Sequence, residues 1–119
     1  MLITIPWPFL NVIEVCYNHY MNTREEILEF LKNNRALLED KYHITKIGLF
    51  GSFARNEQKK DSDVDLLIEL EEGTKNVYDL KTSLKIYLSD AFERSVDIAR
   101  EKYLKPYAKE EILKDTLYV

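Results

Sequence analysis

Between residues 23 and 39 the apolar positions Ile27, Leu28, Phe30, Leu31, Leu37 and Leu38 recur at helical intervals, and Thr23 with Glu26 has the spacing of a capping box. This predicts a first helix running to about Glu39. The segment ITKIGLF, Ile44 to Phe50, is β-branched and apolar and stops at Gly51, which suits a short buried strand. From Ser52, SFARNE suits a brief helix, and Asp61 and Ser62 suit a turn before a second strand, DVDLLIEL, Asp63 to Leu70. Gly73 in EEGTK closes that strand. Val77, Leu80, Leu84, Leu88 and Ala91 then fall on one stripe of a long helix over about Asn76 to Phe92. RSVDIAR, Arg94 to Arg100, reads as a third short strand, and Pro106 opens a last helix, PYAKEEILKD. The order α, β, short α, β, α, β, α predicts a small α/β (α+β) domain in which helices pack on a sheet of three to four strands.

The 119 residues suit one compact domain and leave no room for a second. Residues 1–20 are apolar and carry no lysine or arginine, so the basic start of a secretory signal is missing. Pro6, Pro8, Asn11 and Glu14 also interrupt the run too often for a membrane span. Met21 opens MNTREEILEF like an ordinary protein start. Residues 1–20 are therefore read as an N-terminal extension ahead of the natural beginning, with an extra element packed on the domain as the alternative, and residues 21–119 as the single domain.

Charge narrows the function. Lys+Arg 17 against Asp+Glu 21 gives a net charge of -4, so no basic field exists to hold a polynucleotide, and direct nucleic-acid binding is not expected. The single cysteine, Cys16, excludes an internal disulfide framework, and two histidines with one cysteine do not make a structural zinc site. The composition suits an intracellular protein, with the cytoplasm as the expected compartment and no membrane partner.

The chemistry lies in LFGSFARNEQKKDSDVDLLIEL, Leu49 to Leu70. Strand side chains alternate, so Asp63 and Asp65 leave the backbone on one face about 6–7 Å apart while Val64 and Leu66 point the other way. Like charges so placed repel unless a cation lies between them, and hard oxygen donors suit Mg²⁺. Asp97 repeats the pattern in SVDIA. If its strand lies beside that of Asp63, three carboxylates can hold two cations about 3.5–4 Å apart for a phosphoryl displacement, with Asp97 as general base on an incoming hydroxyl. Gly51 lets the backbone approach an anion, and the Ser52 hydroxyl with neighbouring amides can donate to phosphate oxygens. Arg55 either reaches a phosphate or pairs with a surface acid. No Walker motif and no dinucleotide fingerprint are present.

On IGLFGSFAR, DSDVDLLIEL, SVDIA and the tail LKPYAKEEILKDTLYV, the chain resembles the minimal nucleotidyltransferases of the DNA polymerase β superfamily, in particular the MntA-type antitoxins of HEPN/MNT toxin-antitoxin pairs. The likeness covers about Thr23 to Val119. It implies a polymerase-β-like core with a small mixed sheet flanked by helices. It also implies Mg²⁺-dependent transfer of AMP from ATP to a hydroxyl, a tyrosine, of a cognate HEPN ribonuclease toxin, and a hetero-oligomer with that toxin. By position, Gly51, Ser52 and Arg55 bind the nucleotide, and Asp63, Asp65 and Asp97 are the catalytic carboxylates and ligands of two Mg²⁺ ions. One departure is Asn56, where Ala-Arg-Gly is commoner; asparagine also tolerates left-handed backbone, so little effect is expected. Two alternatives stand beside this activity: an antitoxin that neutralises its partner by binding alone, and nucleotidyl transfer to a small-molecule hydroxyl. A chain this short has no further domain to hold a small acceptor, which favours a protein that brings its own surface.

Overall fold

A computed structural model describes residues 21–119; the expectation for residues 1–20 lies outside the described residues. The elements are α1 (Arg24–Asn33), α2 (Arg35–Tyr42), β1 (Ile44–Phe50), α3 (Gly51–Ala54), β2 (Val64–Leu70), α4 (Val77–Phe92), β3 (Val96–Arg100), a 3-10 turn (Glu101–Tyr103), α5 (Pro106–Asp115) and β4 (Leu117–Tyr118). They form a small mixed sheet in the order β3-β2-β1-β4. β1 runs antiparallel to β2 and β4, and β3 runs parallel to β2, so that α4 serves as the crossover between β2 and β3.

Thr23 caps α1 as its spacing foretold: its hydroxyl accepts from the Glu26 amide while the Glu26 carboxylate accepts from the Thr23 amide. The single helix expected to Glu39 is instead two. Asn34 leaves helical geometry at φ -107° and ψ 14°, and its side-chain amide donates to the Phe30 carbonyl, which ends α1 locally. The break lets Ile27 and Leu31 on α1 and Leu38 and Tyr42 on α2 all turn into the core. Helix periodicity survives across the joint, which is why the apolar pattern hid it.

One face of the sheet carries Ile47, Leu49, Val64, Leu66, Ile68, Val96 and Ile98, all buried against Leu84, Leu88 and Phe92 of α4 and the apolar side of α1 and α2. Ile44 belongs to the same core although it lies three residues before Ile47. A bulge at the start of β1 reconciles them: Ile44 faces Leu70 but Lys46 faces Glu69, so one extra residue restores the phase.

On the reverse face Leu67 is buried, and the C-terminal tail packs against Gly48. Gly48 makes room for it, since a Cβ there would lie 2.6 Å from the Thr116 methyl and 2.9 Å from the Tyr118 ring. Tyr118 donates to Glu101 at 2.7 Å, Lys46 donates to the same carboxylate at 3.1 Å, and the Lys46 ammonium lies over the Tyr118 ring. β4 had no strand signature of its own, because two residues make no period.

Gly48→Ala should lift the tail and cost about 1–3 kcal/mol, the usual range for an added methyl in a filled space. Urea unfolding of the variant tests this; an unchanged midpoint would show that the tail yields freely.

Candidate active site

The alternation along β2 and β3 does for polar groups what it does for the core. Val64, Leu66, Val96 and Ile98 point inward, so Asp65 and Asp97 point to the other face. Parallel pairing sets Asp65 directly opposite Asp97, on strands about 4.8 Å apart. Asp63 lies one residue ahead of β2 on an exposed stretch, fixed by the neighbouring bond from the Val64 amide to the Ser95 carbonyl, 2.9 Å. Across the antiparallel pair Asp65 faces Phe50, the last residue of β1. The chain therefore turns at Gly51 beside the Asp65 carboxylate.

Gly51 is bound to this position twice over. Its φ is +78°, a left-handed conformation that glycine adopts without strain, and a Cβ would sit 2.2 Å from Asp65 Oδ2. The turn and the aspartate thus occupy one small space. Ser52 follows at the first turn of α3, half-buried, its hydroxyl without a hydrogen-bond partner among the described residues. Asn56 adopts φ +62°, the left-handed conformation that asparagine was expected to tolerate in place of glycine.

The carboxylates feel one another. Asp65 is pushed up to about 6, first by burial, then by the charges of Asp97 and Asp63, with Arg55 pulling the other way. Arg55 itself is engaged by surface acids: its Nε donates to Glu57 at 3.0 Å, and Nη1 lies 3.6 Å from Asp115. Of the two readings open for Arg55, the structure displays the ion pair. Among the described residues no three acidic, histidine or cysteine side chains converge into a ready-made metal cage. The donors nevertheless fit a hard divalent cation: three carboxylates share one field, and a cation between them would remove the repulsion that raises Asp65. An open hollow of about 750 Å³ borders Asp63 and Asp97 on the side away from Gly51, with Lys85, Ser89, Arg94 and Ser95 on its wall.

Sequence reasoning missed Arg94. It is 8% exposed, and its guanidinium donates to the Lys60, Ser62 and Met21 carbonyls and to the Asn22 side chain at 2.6–3.1 Å, while lying 5.0 Å from the centre of the Phe53 ring. One side chain thereby ties the loop before Asp63, the helix of the Gly-Ser turn and the strand that leads to Asp97. Its sequence signal is only an arginine at a strand entrance, indistinguishable from a surface cation.

A model of the nucleotidyltransferase domain matches residues 25–119. This chain belongs to the nucleotidyltransferase family. Its curated relatives include a candidate protein adenylyltransferase of Methanocaldococcus jannaschii, 37% identical over 100 residues that span 83% of this chain and all of that one. Another is the protein adenylyltransferase MntA of Thermococcus cleftensis, 33% identical over 99 residues that span 83% of this chain and 98% of that one. Among solved structures, a candidate minimal nucleotidyltransferase superposes with a TM-score of 0.67 at 29% identity, over 81% of this chain and 95% of that one. A toxin-antitoxin structure with AMP-PNP shares the fold at a TM-score of 0.57 and 18% identity, over 82% of this chain and 72% of that one. The small mixed sheet flanked by helices that the resemblance implied is the one observed, and it matches a minimal nucleotidyltransferase fold; a nucleotidyltransferase is an enzyme that moves a nucleotidyl group to an acceptor.

Two outcomes follow from the packing of this nucleotidyltransferase site. Gly51→Ala should displace the Asp65 carboxylate and cost about 1–3 kcal/mol of stability, from the clash and the left-handed backbone together; urea unfolding with an unchanged midpoint would contradict the shared-space account. Asp65→Asn should stabilise the metal-free protein. The folded state holds the Asp65 proton more tightly than the unfolded state, so ionisation penalises folding. That penalty is absent below about pH 4, grows as the pH rises toward 6 and is complete above it. Melting in EDTA should show the asparagine variant ahead of wild type at about pH 7.5 and level with it at about pH 4; an advantage that does not change with pH would assign the effect to something other than charge.

Proposed function

We propose that this nucleotidyltransferase transfers AMP from ATP to a hydroxyl, a tyrosine, of a cognate HEPN-type ribonuclease toxin, and so acts as an antitoxin in the cytoplasm. The observation that carries the reading is the placement of Asp65 opposite Asp97 with Gly51 against the Asp65 carboxylate. It brings an anion-accepting turn and a cation-seeking carboxylate group to one end of the sheet, which is the arrangement a nucleoside triphosphate needs. The names of the relatives support protein adenylylation, and the toxin-antitoxin assembly that shares the fold supports a toxin as partner, held in a hetero-oligomer.

In this reading the Gly51 and Ser52 amides and the Ser52 hydroxyl hold the triphosphate. Asp63, Asp65 and Asp97 would hold two Mg²⁺ ions, which neutralise the phosphate charge and stabilise both the attacking and the leaving oxygens. Arg55 stands at the edge of the same field and would exchange Glu57 for a phosphate oxygen. Asp97 takes the proton of the acceptor hydroxyl as its oxygen bonds to the α-phosphorus. The bond from that phosphorus to the bridging oxygen breaks, and pyrophosphate leaves with the electron pair.

The hollow beside Asp97 is open rather than shaped around a small molecule, which supports a protein acceptor.

Label transfer from α-phosphate-labelled ATP, with Mg²⁺, to the product of the neighbouring gene tests the proposal. Label should appear on the acceptor with wild type, vanish in EDTA, and fall by at least about a hundredfold with Asp63→Asn/Asp65→Asn, as removal of charge-stabilising groups commonly does. A toxin that is silenced without label, and equally by the double variant, would establish neutralisation by binding alone. Label on a small-molecule hydroxyl and none on the protein would move the activity to the third reading.

A further inference from the structure

β3 is an edge strand among the described residues, and its outer edge opens onto a groove that begins at Asp97. The Val64 amide bonds to the Ser95 carbonyl, so the main-chain groups of Ser95, Asp97 and Ala99 face β2. By alternation, the amides and carbonyls of Val96, Ile98 and Arg100 point outward, away from the sheet. Beside this edge runs the outer stripe of α4, where Tyr78, Lys81, Lys85 and Ser89 follow at helical spacing. Three hollows line up between strand and helix. The first, about 750 Å³, joins Asp63 and Asp97 to Lys85; the second, about 270 Å³, joins Asp97 and Ile98 to Lys81 and Lys85; the third, about 630 Å³, runs on between Ile98, Arg100 and Tyr78 to Tyr103. They share residues end to end and make one trough along β3, about 16 Å long for its five residues.

The chemistry of the trough differs from that of the rest of the surface. The whole chain is acidic at -4, yet the helix wall presents Lys81 and Lys85 one turn apart, with no ion-pair partner for either among the described residues, and Glu93 is the acid at the Asp63 end of that wall. Tyr78 and Tyr103 stand 82% and 69% exposed at the far end, and Arg100 and Lys102 lie at 5.0 Å and 5.4 Å from the centre of the Tyr103 ring. Unpaired main-chain groups on an edge strand are completed by another extended backbone. Two lysines beside them select acidic side chains, and two exposed aromatic rings offer contact area. Two cations within an acidic chain are too few for a polynucleotide, whereas they suit a short peptide.

We propose that this trough binds an extended, acidic segment of the acceptor protein, which adds a strand to β3 and delivers its hydroxyl residue to Asp97. The inference rests on the reading that the acceptor is a protein and adds to it how that protein is recognised: by backbone pairing with Val96, Ile98 and Arg100 and by Lys81 and Lys85. Docking there would set the acceptor hydroxyl on the side of Asp97 opposite the Gly51 turn, so that nucleotide and acceptor approach the carboxylates from different sides.

Two fluorescein-labelled decapeptides test it, each with one central tyrosine, flanked in one by glutamates and in the other by lysines. The acidic peptide should bind wild type at least tenfold more tightly than the basic one by fluorescence anisotropy. It should also slow hydrogen exchange at the Ile98 and Arg100 amides. Lys81→Glu/Lys85→Glu should reverse the order of the two peptides, and Lys81→Ala/Lys85→Ala should abolish the preference, both with Mg²⁺·ATP affinity unchanged. Equal binding of the two peptides, no binding of either, or a loss of Mg²⁺·ATP affinity in the lysine variants would overturn the proposal, the last because it would give the trough to the nucleotide. Undiminished AMP transfer to the toxin by Lys81→Glu/Lys85→Glu would overturn the trough and leave the proposed function standing. Charge-selective peptide binding without AMP transfer to any protein would remove the proposed function and with it the delivery of a hydroxyl to Asp97, overturning the trough as an acceptor site.

Discussion

The site depends on holding like charges together. Asp65 and Asp97 lie on adjacent parallel strands, and two carboxylates about 5–6 Å apart in a partly screened setting repel by about 1–3 kcal/mol. What holds them is on the reverse side of the same residues' neighbours. Val64, Leu66, Val96 and Ile98 are each at most 8% exposed, and burial of such side chains contributes about 1.5–3 kcal/mol apiece. The apolar face outweighs the repulsion several-fold, so the strands cannot separate to relieve it. The consequence falls on Asp65, whose burial and neighbouring charges raise its affinity for protons, and a cation between the carboxylates would relieve the repulsion.

Two residues convert that strand pair into a site. Gly51 leaves β1 in a conformation and a space that admit no side chain, and so brings the turn against Asp65. Arg94 works from the opposite side. Its guanidinium satisfies carbonyls of the loop at residues 60 and 62 and lies over Phe53, so that it ties together the loop before Asp63, the α3 helix and the entrance to β3. An arginine suits this task because its planar fork offers several donors at once and stays charged. The same geometry explains why Arg94 is a support and not a ligand for phosphate: its donors already have partners.

Most of the fold was legible because its elements have periods. The capping box at Thr23, the stripe of Val77 to Ala91 and the strands around Leu49, Leu67 and Ile98 each repeat an apolar pattern long enough to read. The kink at Asn34 was not legible, since a helix that ends and restarts keeps its stripe; nor was β4, whose two residues pair with β1 only because Gly48 leaves room. The meeting of Gly51, Asp65 and Asp97 was legible for a different reason: acids on a strand face and a glycine before a serine contradict the local preference for burial, and the register brings them together. Arg94 contradicted nothing and stayed hidden. Arg55 showed the limit of this logic, since a cation near acids has several partners to choose from, and in the structure Glu57 and Asp115 take it.

The distribution of charge gives the last step. An acidic domain with a cation-seeking site at one end of its sheet repels polyanions in general, so it depends on local features to admit a triphosphate and an acceptor from the same solvent. In the proposed function the triphosphate enters at the Gly51 turn, where there is no side chain to displace and the carboxylates suit a metal. An acceptor cannot use that entrance once nucleotide is there. The other approach to Asp97 runs beneath Lys81 and Lys85, along a strand edge whose hydrogen-bonding groups are turned outward. In the proposed reading one sheet keeps two substrates apart, because among the described residues its β3 edge is open and the carboxylates stand between that edge and the turn.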